Sequence, residues 1–497
     1  TNIKWYEDFT NGLEAIINEY DIKLVGGDIT FGDLNICVNV FGYPFMKPLL
    51  RSNAKPDDLI YISGALGKGR KGLIDWKNNK KSKYIEEFFR PKVRFRLSKY
   101  IASFASSCID ISDGLFKDLG AICKLSQVGA ILRYEDIPIT NDINDLAYGD
   151  DYELCFTCGI ECEEMLKNKG LKFGVIGSGS WGTALIKIIS ENINPINWYI
   201  RKKENVDFIK KNKHNKNYLS SVNLNIKKLN ISSDINKVCE NSDILIFAVP
   251  SKYIESELKK IEIDFSKKMI ISAIKGIVPE SNLLFSEHLE KHYEISSSNI
   301  AVISGPCHAE EVGMEKLSYL TMASSNVKRF KNITYAFKCK YININMSEDK
   351  IGVEYSSMLK NIYALAIGIS NGLGYGDNFQ SVLMSNSIRE MKYFISKRDK
   401  KDREINNSVY LGDLLVTGYS AFSRNRMFGN MIGKGYSVRA AQSEMKMVAE
   451  GYIATKKAFY LNKKNKAKTP ILNSVYKILY EKKSSRKIFK QLSDIIN

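Results

Sequence analysis

The sequence predicts an α/β domain in the middle of the chain, preceded by an α+β segment and followed by an all-helical domain. Three observations carry this prediction: a length of 497 residues, a strand–helix alternation that starts near residue 171, and a change to helical periodicity near residue 346. A chain of this length exceeds what one hydrophobic core usually organises. The predicted parts are residues 1–168, 171–345 and 346–497. A helical pattern ends at Gly170 and an apolar strand begins at Leu171, which marks the first junction.

Composition and charge are those of a globular protein with small anionic ligands. Hydrophobic residues make up 44% and charged residues 26% of the chain, and the formal net charge is +18. The basic residues are spread along the chain and are not gathered with aromatics, so we expect no nucleic-acid partner. No apolar run approaches the roughly 18 residues of a membrane span, so we expect none.

The cysteines indicate a reducing compartment. Nine of them are scattered without a paired framework, and no signal-peptide pattern is visible, so we expect a cytoplasmic protein. Cys155, Cys158 and Cys162 have spacing that could hold three metal ligands. No fourth ligand follows nearby and Cys155 falls in a strand-like alternation, which favours structural cysteines over a metal site.

Aspartates on glycine turns recur in the N-terminal third of the chain. Asp28, Asp110, Asp113 and Asp150 each lie in or beside such a turn. Clustered carboxylates suit Mg²⁺ bound to nucleotide phosphates, because this hard cation takes oxygen ligands. Taken singly, each turn is more often structural.

The first strand of the α/β part is followed by a glycine-rich turn. An apolar strand at 172–176 leads into GSGSWG at 177–182 and then into a helical pattern. This strand–turn–helix context is what the G-x-G-x-x-G fingerprint requires. Gly177 permits the tight turn, Gly179 lets the backbone approach a pyrophosphate, and Gly182 lets the helix pack on the strand. The pattern therefore predicts a Rossmann-type dinucleotide-binding domain.

The next strand bears on the choice of dinucleotide. Residues 197–200 are strand-like and end at Arg201, near the position where NAD-binding domains carry an acidic residue for the ribose 2′-hydroxyl. An arginine there suits a 2′-phosphate, which favours NADP over NAD. Two observations leave the choice between NADP and NAD open. An acidic residue, Glu204, lies only three residues on, and Arg201 is alternatively a surface residue without a role in binding. A further buried strand is predicted within 242–251, with its carboxyl end at the ligand crevice.

Two lysines are candidates for chemistry. Lys275 follows the apolar strand 270–274 and is predicted to bind an anionic ligand, with a solvated charge at the strand end as the alternative. A long helix is predicted at 351–369, and its only charged residues are Glu354 and Lys360. Burial of an amine lowers its pKa towards the range useful for proton transfer at neutral pH. A lysine that extends along the helix to water is the alternative.

A third cation follows in the helical part. Arg424 stands between Ser423 and Asn425, in a segment that contains turn residues. A guanidinium donates two parallel hydrogen bonds and is flanked here by a hydroxyl and an amide, so this group predicts a phosphate site.

From Phe173 onwards the motifs resemble those of the NAD(P)-dependent glycerol-3-phosphate dehydrogenases. In order they are GSGSWGTA at 177–184, AVPS at 248–251, KG at 275–276, SGPCHAEEV at 304–312, LKNIYALAIG at 359–368, GDLLVT at 412–417, SRNRMFG at 423–429 and AEGY at 449–452. The resemblance implies reversible reduction of dihydroxyacetone phosphate to sn-glycerol 3-phosphate with NADP or NAD, which supplies phospholipid synthesis. We expect a homodimer.

The resemblance also assigns roles to residues. It implies that Lys360 transfers the proton, that Lys275 touches cofactor and substrate, and that Asp413 orients Lys360. The implied cofactor-binding residues are Gly177, Gly179, Ser180, Trp181, Gly182, Arg201, Lys275, Ala309, Arg424, Val448 and Glu450. The implied substrate-binding residues are Lys275, Gly305, Cys307, Lys360, Asn361, Asp413, Ser423, Arg424 and Asn425. The sequence departs from the family at Cys307-His308, where many members carry Thr or Ser and an aromatic residue.

The aspartate turns, together with LLRSNAKPDDLIYISG at 49–64, resemble thiamine-monophosphate kinase. The resemblance implies roles for seven residues: Asp28, Asp110 and Asp113 for Mg²⁺, Gly27, Arg51 and Ser112 for ATP, and Asp150 for the substrate, where the family usually has Glu. It covers about half of that family's length, lacks the N-terminal part that supplies further aspartates, and ends near Thr157.

We therefore expect the α+β kinase-like fragment to be an inactive remnant. Two alternatives stay open. One is a bifunctional protein that also phosphorylates thiamine monophosphate with ATP and Mg²⁺. The other is an interaction module that aids dimerisation.

Overall fold

A computed structural model of the chain describes residues 3–30, 32–44, 46, 48–162, 171–445 and 449–496. The chain divides into two compact units, Thr1–Pro48 and Leu49–Asn497. In the first unit, helix α1 spans Ile3–Tyr20 and buries none of its residues. The described residues from 21 to 44 form no helix or strand and are exposed. No helix among the described residues is long and apolar enough to cross a membrane.

The second unit begins with a small α+β subdomain. Its three strands are antiparallel in the order β1-β3-β2. The strands are β1 (Leu59–Ile62), β2 (Ser107–Ile111) and β3 (Glu153–Cys158), and the helices are α2 (Lys68–Lys77), α3 (Lys83–Phe89), α4 (Phe95–Ile101) and α5 (Leu115–Ser126). Helix α5 packs Leu115 and Ile122 against Ile111 of the sheet, in a core that also contains Leu66. This arrangement is the predicted α+β segment.

An eight-stranded sheet dominates the middle of the chain. Its strands are β4 (Phe173–Ile176), β5 (Ile196–Tyr199), β6 (Leu229–Ser232), β7 (Ile244–Phe247), β8 (Met269–Ser272), β11 (Ile300–Ser304), β12 (Ser318–Ser324) and β13 (Ile342–Ser347), and the hairpin of β9 (Ile277–Val278) and β10 (Leu283–Leu284) lies apart. The helices are α6 (Ser180–Ser190), α7 (Lys203–Asn212), α8 (Ile235–Glu240), α9 (Ile254–Leu258), α10 (Phe285–His292), α11 (Ala309–Gly313) and α12 (Val327–Lys331).

The strand order of the sheet places the ligand crevice. The order is β13-β12-β11-β8-β7-β4-β5-β6, with every pair parallel except β11 and β12. Every residue of β4, β5, β7 and β8 is buried, as expected for parallel strands covered on both faces. Strands β6-β5-β4-β7-β8-β11 follow the order of a dinucleotide-binding fold, in which the ligand binds where the order reverses. The predicted Rossmann-type domain is confirmed, and the crevice lies at the carboxyl ends of β4 and β7.

The chain beyond the sheet is helical. The elements are α13 (Lys350–Gly372), α14 (Asp377–Ser396), a π-helix (Ser408–Gly412), α15 (Asp413–Tyr419), α16 (Arg424–Gly433), α17 (Val438–Glu444), α18 (Glu450–Asn465), α19 (Pro470–Leu479) and α20 (Ser485–Ser493). Helix α13 extends the predicted 351–369 by one residue at its start and three at its end. It is buried on nearly every face from Lys350 to Ser370, which is why its sequence is apolar all round.

Glycines let α13 and α16 touch backbone to backbone. A Cβ atom on Gly368 would lie 2.1 Å from the carbonyl oxygen of Arg426, and one on Gly372 would lie 2.2 Å from that of Asn430. On the other helix, Gly429 and Gly433 make the reciprocal approaches, at 2.2 and 2.3 Å to carbonyl oxygens of α13. Small residues four apart on both helices therefore fix their crossing.

We predict that Gly368→Ala destabilises the protein by about 1–3 kcal/mol, because the new methyl group meets a carbonyl oxygen that cannot move away. Chemical denaturation followed by circular dichroism measures the change. Gly120→Ala is the matched control, since Gly120 also lies within a helix, α5, and a Cβ atom there meets nothing within 4 Å. Equal stability of the two variants would show that the crossing is looser than described.

Candidate active site

The glycine turn after β4 is built for close approach. Gly177 has φ of +120°, and a Cβ atom there would lie 2.6 Å from the carbonyl oxygen of Ala248. A Cβ atom on Gly182 would lie 2.4 Å from the carbonyl oxygen of Gly177, so this residue packs α6 against the turn. A Cβ atom on Gly179 would meet nothing within 4 Å. The open space therefore lies at Gly179, beside the N-terminus of α6, where a diphosphate would be favoured.

Two side chains that the sequence analysis missed brace this turn. Asn215 is buried and donates from Nδ2 to the carbonyl oxygen of Ser178 and to Thr183 Oγ1, both at 2.9 Å. Trp198 on β5 donates from Nε1 to the carbonyl oxygen of Gly177 at 2.9 Å. A tryptophan in a buried strand needs a partner for its indole N–H, and this requirement was the available signal. For Asn215 we see no signal in the sequence.

A groove of about 2250 Å³ runs along the carboxyl ends of the strands. Eight predicted cofactor-binding residues line it: Gly177, Gly179, Ser180, Trp181, Arg201, Lys275, Arg424 and Glu450. Lining residues that the sequence analysis did not name include Tyr199, Tyr218, Lys252, Tyr253, Phe428 and Tyr452. Gly182 supports the turn from beneath and Ala309 lines the adjoining cleft. Val448 lies outside the described residues.

A cleft of about 660 Å³ adjoins this groove and shares five of its lining residues: Ser180, Trp181, Lys275, Arg424 and Glu450. It brings together eight predicted substrate-binding residues: Lys275, Cys307, Lys360, Asn361, Asp413, Ser423, Arg424 and Asn425. The ninth, Gly305, is not among the described residues that line the cleft. Its φ is +144° and a Cβ atom there would lie 2.5 Å from the carbonyl oxygen of Tyr319, so it serves the turn after β11.

Lys360 and Asp413 form a buried ion pair at the base of the cleft. Lys360 is 3% exposed, so the alternative of a lysine that reaches water is wrong. Its Nζ donates to Asp413 Oδ1, and Ser304 Oγ donates to the other carboxylate oxygen at 3.2 Å. Burial lowers the pKa of Lys360 to about 8; Asp413 acts in the opposite direction, and Lys275 adds to the lowering. The amine can therefore give or take a proton near neutral pH.

Further charges surround this pair. Lys275 lies after β8 with its Nζ 5.3 Å from the centre of the Trp181 ring. Glu450 at the start of α18 faces the cleft, and burial raises its pKa although Arg424, Lys275 and Lys360 favour the charged form. Glu310 lines the cleft as well, so three cations and three carboxylates meet there, and the cations supply donors for an anionic ligand.

A chain of amide hydrogen bonds joins four segments behind the cleft. The Gly451 backbone N–H donates to Asn425 Oδ1 at 2.9 Å, and Asn425 Nδ2 donates to Asn361 Oδ1 at 2.9 Å. Asn361 Nδ2 in turn donates to the carbonyl oxygen of Lys275 at 3.4 Å. Ser423 caps α16 by accepting from the Arg426 backbone N–H at 3.3 Å. Arg424 is thus the first residue of a capped helix.

The departure at Cys307-His308 places two weakly polar groups in the cleft. Burial raises the pKa of Cys307 to about 12, so the thiol stays protonated. Burial, together with Lys275 and Lys360, lowers the pKa of His308 to about 4, so the imidazole is neutral. The buried His308 Nε2 has no hydrogen-bond partner among the described residues. In the sequence, His308 stands out only as a departure from the family pattern.

The predicted magnesium and nucleotide residues gain less support. The Asp150 backbone N–H donates to the Ser112 carbonyl oxygen at 3.1 Å, and Asp113 pairs with Lys117 at 2.6 Å. Gly27 and Asp28 belong to the first unit, whereas Arg51 and Asp110 belong to the second, and all four are exposed. Within the described residues, no group of three or more His, Cys, Asp or Glu side chains is arranged to hold a metal ion. The predicted set of Asp28, Asp110 and Asp113 is not confirmed.

Sequence models of one family match most of the chain from residue 172 onwards. The NAD-dependent glycerol-3-phosphate dehydrogenase N-terminus matches residues 172–330 and the C-terminus matches residues 349–490. The glycerol-3-phosphate dehydrogenase (NAD(P)+) of Bacillus velezensis is 36% identical over 311 residues, which cover 62% of this chain and 90% of that protein. The enzyme of the same name from Bacillus subtilis is 35% identical over 313 residues, with the same coverage.

A solved structure of a glycerol-3-phosphate dehydrogenase is also similar to this chain. The chain is similar to glycerol-3-phosphate dehydrogenase from Coxiella burnetii, with a TM-score of 0.60 and 26% identity over 65% of this chain and 98% of that one. Thiamine-monophosphate kinase from Stenotrophomonas maltophilia is 28% identical over 34% of this chain and 60% of that one, with a TM-score of 0.29. From its matched sequence models and relatives, this chain belongs to the NAD(P)-dependent glycerol-3-phosphate dehydrogenase family.

Proposed function

We propose that this protein reversibly reduces dihydroxyacetone phosphate to sn-glycerol 3-phosphate with NADPH or NADH. The observation that carries the proposal is the buried Lys360–Asp413 pair, in a cleft that opens on the dinucleotide groove and contains two further cations. Ketone reduction needs a proton donor with a pKa near the working pH, and a phosphorylated substrate needs fixed positive charge. The test is whether the purified chain oxidises NADPH when dihydroxyacetone phosphate is added.

The chain's own residues handle the proton. A bound nicotinamide supplies the hydride that reduces the ketone carbon. Lys360 in its ammonium form donates a proton to the oxygen as negative charge develops there, and Lys275 adds positive field at the same place. Asp413 holds the Lys360 Nζ and favours its charged form. In the oxidising direction Lys360 takes the proton back.

Arg424 is the proposed phosphate anchor. It lines the cleft at the start of α16, with Ser423 and Asn425 on either side. A phosphate held here orients the carbonyl against Lys360, so that remote binding energy serves the reacting centre. Asn361, which Asn425 holds by a hydrogen bond, supplies a further polar contact.

The groove fits a dinucleotide. The open space at Gly179 admits a diphosphate, and Ser180 and Trp181 lie at the first turn of α6. The buried Trp181 Nε1 has no partner among the described residues and can donate to a ligand. Arg201 is exposed at the edge of the groove, where it would pair with a 2′-phosphate, so we favour NADP over NAD.

We further propose the three-part division at 1–168, 171–345 and 346–497, a homodimer and a cytoplasmic location. The end of β13 at Ser347 and the start of α13 at Lys350 support a second boundary within a few residues of 346, and residues 163–170, at the first boundary, lie outside the described ones. The scattered cysteines support a reducing compartment. The product would supply phospholipid synthesis.

Residues 1–168 are proposed to be catalytically inert. Backbone N–H groups at the start of α2 already donate to a carboxylate. Those of Gly67 and Gly69 donate to the two side-chain oxygens of Asp151 at 2.8 and 3.0 Å. Glu153 is likewise enclosed by Arg94 and Ser63. Internal carboxylates thus take donors that a phosphate would need, which favours a remnant over a second kinase activity with ATP and Mg²⁺.

The α+β subdomain contacts the α/β domain. Lys99 on α4 donates from Nζ to the carbonyl oxygen of Glu191, at the end of α6, at 2.7 Å. The neighbouring Tyr100 ring meets the Tyr335 ring edge to face, with 4.7 Å between centroids. Burial lowers the pKa of Lys99. These contacts support a structural role for the subdomain.

Lys360→Met should lower kcat by about 10² to 10⁴-fold, because the side chain keeps its length but loses its proton. Cofactor affinity should change little. For the wild-type enzyme, kcat for reduction should fall as pH rises through about 8, where the buried ammonium deprotonates, and kcat for oxidation should rise over the same range.

Steady-state kinetics in both directions across pH measure these effects. Arg424→Ala is the contrasting variant, since it should chiefly raise KM for dihydroxyacetone phosphate through loss of the paired phosphate donors. A Lys360→Met enzyme with wild-type kcat would remove this lysine from the chemistry.

Arg201→Ala should reduce the preference for NADPH over NADH, because a charge-assisted contact of about 1.5–3 kcal/mol to the 2′-phosphate is lost. The ratio of kcat/KM for the two cofactors is the measurement. Lys203→Ala, which removes a neighbouring exposed cation, should leave the ratio unchanged. An unchanged ratio in Arg201→Ala would contradict the assignment.

A chain that begins at Lys169 should keep kcat within a few-fold, since every proposed dehydrogenase residue follows it. Its melting temperature should fall, because the Lys99 and Tyr100 contacts are gone. Lys99→Met in the full chain is the control and should lower the melting temperature by part of that amount. A folded truncation without turnover would show that the N-terminal part is integral to activity.

A further inference from the structure

A buried carboxylate organises the start of α13, away from the cleft. Asp349 is 8% exposed and caps the helix by accepting from the Gly352 backbone N–H at 3.1 Å. Arg403 binds both oxygens of the same carboxylate with one edge of its guanidinium, donating from Nε at 2.6 Å and from Nη2 at 3.0 Å. Arg403 Nη1 donates to the carbonyl oxygens of Asp399 and Lys401 at 2.8 and 3.0 Å. The pair is therefore well satisfied.

The backbone is shaped around this pair. A Cβ atom on Gly352 would lie 2.1 Å from Asp349 Oδ2 and 2.5 Å from Arg403 Nε. Only a residue without a side chain fits beneath the guanidinium. The carboxylate is thus held in one position relative to the first turn of α13.

Tyr410 connects this carboxylate to the active-site segment. Its hydroxyl is buried and donates to Asp349 Oδ2. Tyr410 belongs to the π-helix Ser408–Gly412, and the next residue is Asp413, the partner of Lys360. π-Helical turns are rare and occur mostly at functional sites. Asp349 therefore ties the helix that carries Lys360 to the segment that delivers Asp413.

We propose that Tyr410 is a positioning residue, which holds the π-helix in the register that sets the Asp413 carboxylate against Lys360. This inference rests on the proposed function. Lys360 lies eleven residues beyond Asp349 on α13, roughly 16 Å along the helix axis, so Tyr410 acts through the backbone. It is not among the described residues that line the cleft.

The consequence is electrostatic. The charged or titratable groups that line the cleft around Lys360 are Asp413, Lys275, Cys307, His308, Glu310, Arg424 and Glu450. Only Asp413 follows the π-helix directly. If this segment relaxes, the ammonium loses its closest anion while burial and Lys275 still oppose the charge. The proton then leaves Lys360 at lower pH.

The test compares Tyr410→Phe with Tyr355→Phe. Tyr355 is equally buried, lies on α13 five residues before Lys360, and accepts from Arg398 Nε at 3.1 Å. Each variant loses one buried hydroxyl and one hydrogen bond to a charged partner, so both should lose stability. Only Tyr410→Phe should move the pH at which kcat for reduction is half lost, downwards by roughly one unit. KM for dihydroxyacetone phosphate should stay within about two-fold in both.

Asp349→Asn is the second variant and keeps an acceptor oxygen without the charge. It should move the midpoint in the same direction by a smaller amount. A wild-type midpoint in Tyr410→Phe, or an equal shift in Tyr355→Phe, would overturn the inference. Either result would leave the proposed function standing if the wild-type enzyme turns over.

A readout without turnover separates the two proposals. Pyridoxal 5′-phosphate carries an aldehyde and a phosphate; the Lys360 amine attacks the aldehyde, water leaves, and borohydride reduces the imine to a stable amine. Mass spectrometry then reports labelling of Lys360 against pH, which requires the unprotonated amine. Labelling should begin at lower pH in Tyr410→Phe. If the wild-type chain fails to oxidise NADPH, the proposed function fails, and an unchanged labelling curve would independently reject the role of Tyr410.

Discussion

The burial of one ammonium group against one carboxylate is the constraint on which the rest of the active site depends. Removing both ions from water costs several kcal/mol, and only good geometry with further hydrogen bonds offsets the cost. Here Ser304 satisfies the second oxygen of Asp413, and Lys360 has Asp413 within contact. The buried residues of α13 exclude water from this pair, and burial lowers the pKa of the Lys360 amine to about 8.

Four separate segments bring their charged side chains together around the Lys360–Asp413 pair. Lys275 lies in the loop after β8, Lys360 on α13, Asp413 on α15 and Arg424 on α16. Their meeting is enforced by backbone contacts at the glycine crossing and by the chain of amide hydrogen bonds through Asn425. Stability and chemistry therefore share the same contacts, since the groups that fix the helices also fix the distances between reacting groups.

Local patterns predicted much of this arrangement. The glycine turn in its strand–helix context was enough for the dinucleotide fold, and the apolar run around Lys360 was enough for a buried helix, with ends displaced by up to three residues. Hydrogen bonds between distant segments could not be predicted this way. Ser304 and Asp413 are 109 residues apart in the sequence, and Tyr410 and Asp349 are 61 apart. Hydrophobic periodicity, which is a local pattern, does not indicate such pairs. The choice between a buried and a snorkelling Lys360 likewise required the packing around α13.

The glycine crossing has a consequence for what the enzyme can accept. Because α13 and α16 meet backbone to backbone, neither can slide or separate without breaking many contacts at once. This crossing consequently fixes the spacing between Lys360 and Arg424, which lie one on each helix. In the proposed mechanism, their spacing would set the distance between a ligand's carbonyl and its phosphate. Phosphorylated ketones of other lengths would bind through the phosphate and yet present their carbonyl out of reach of the proton.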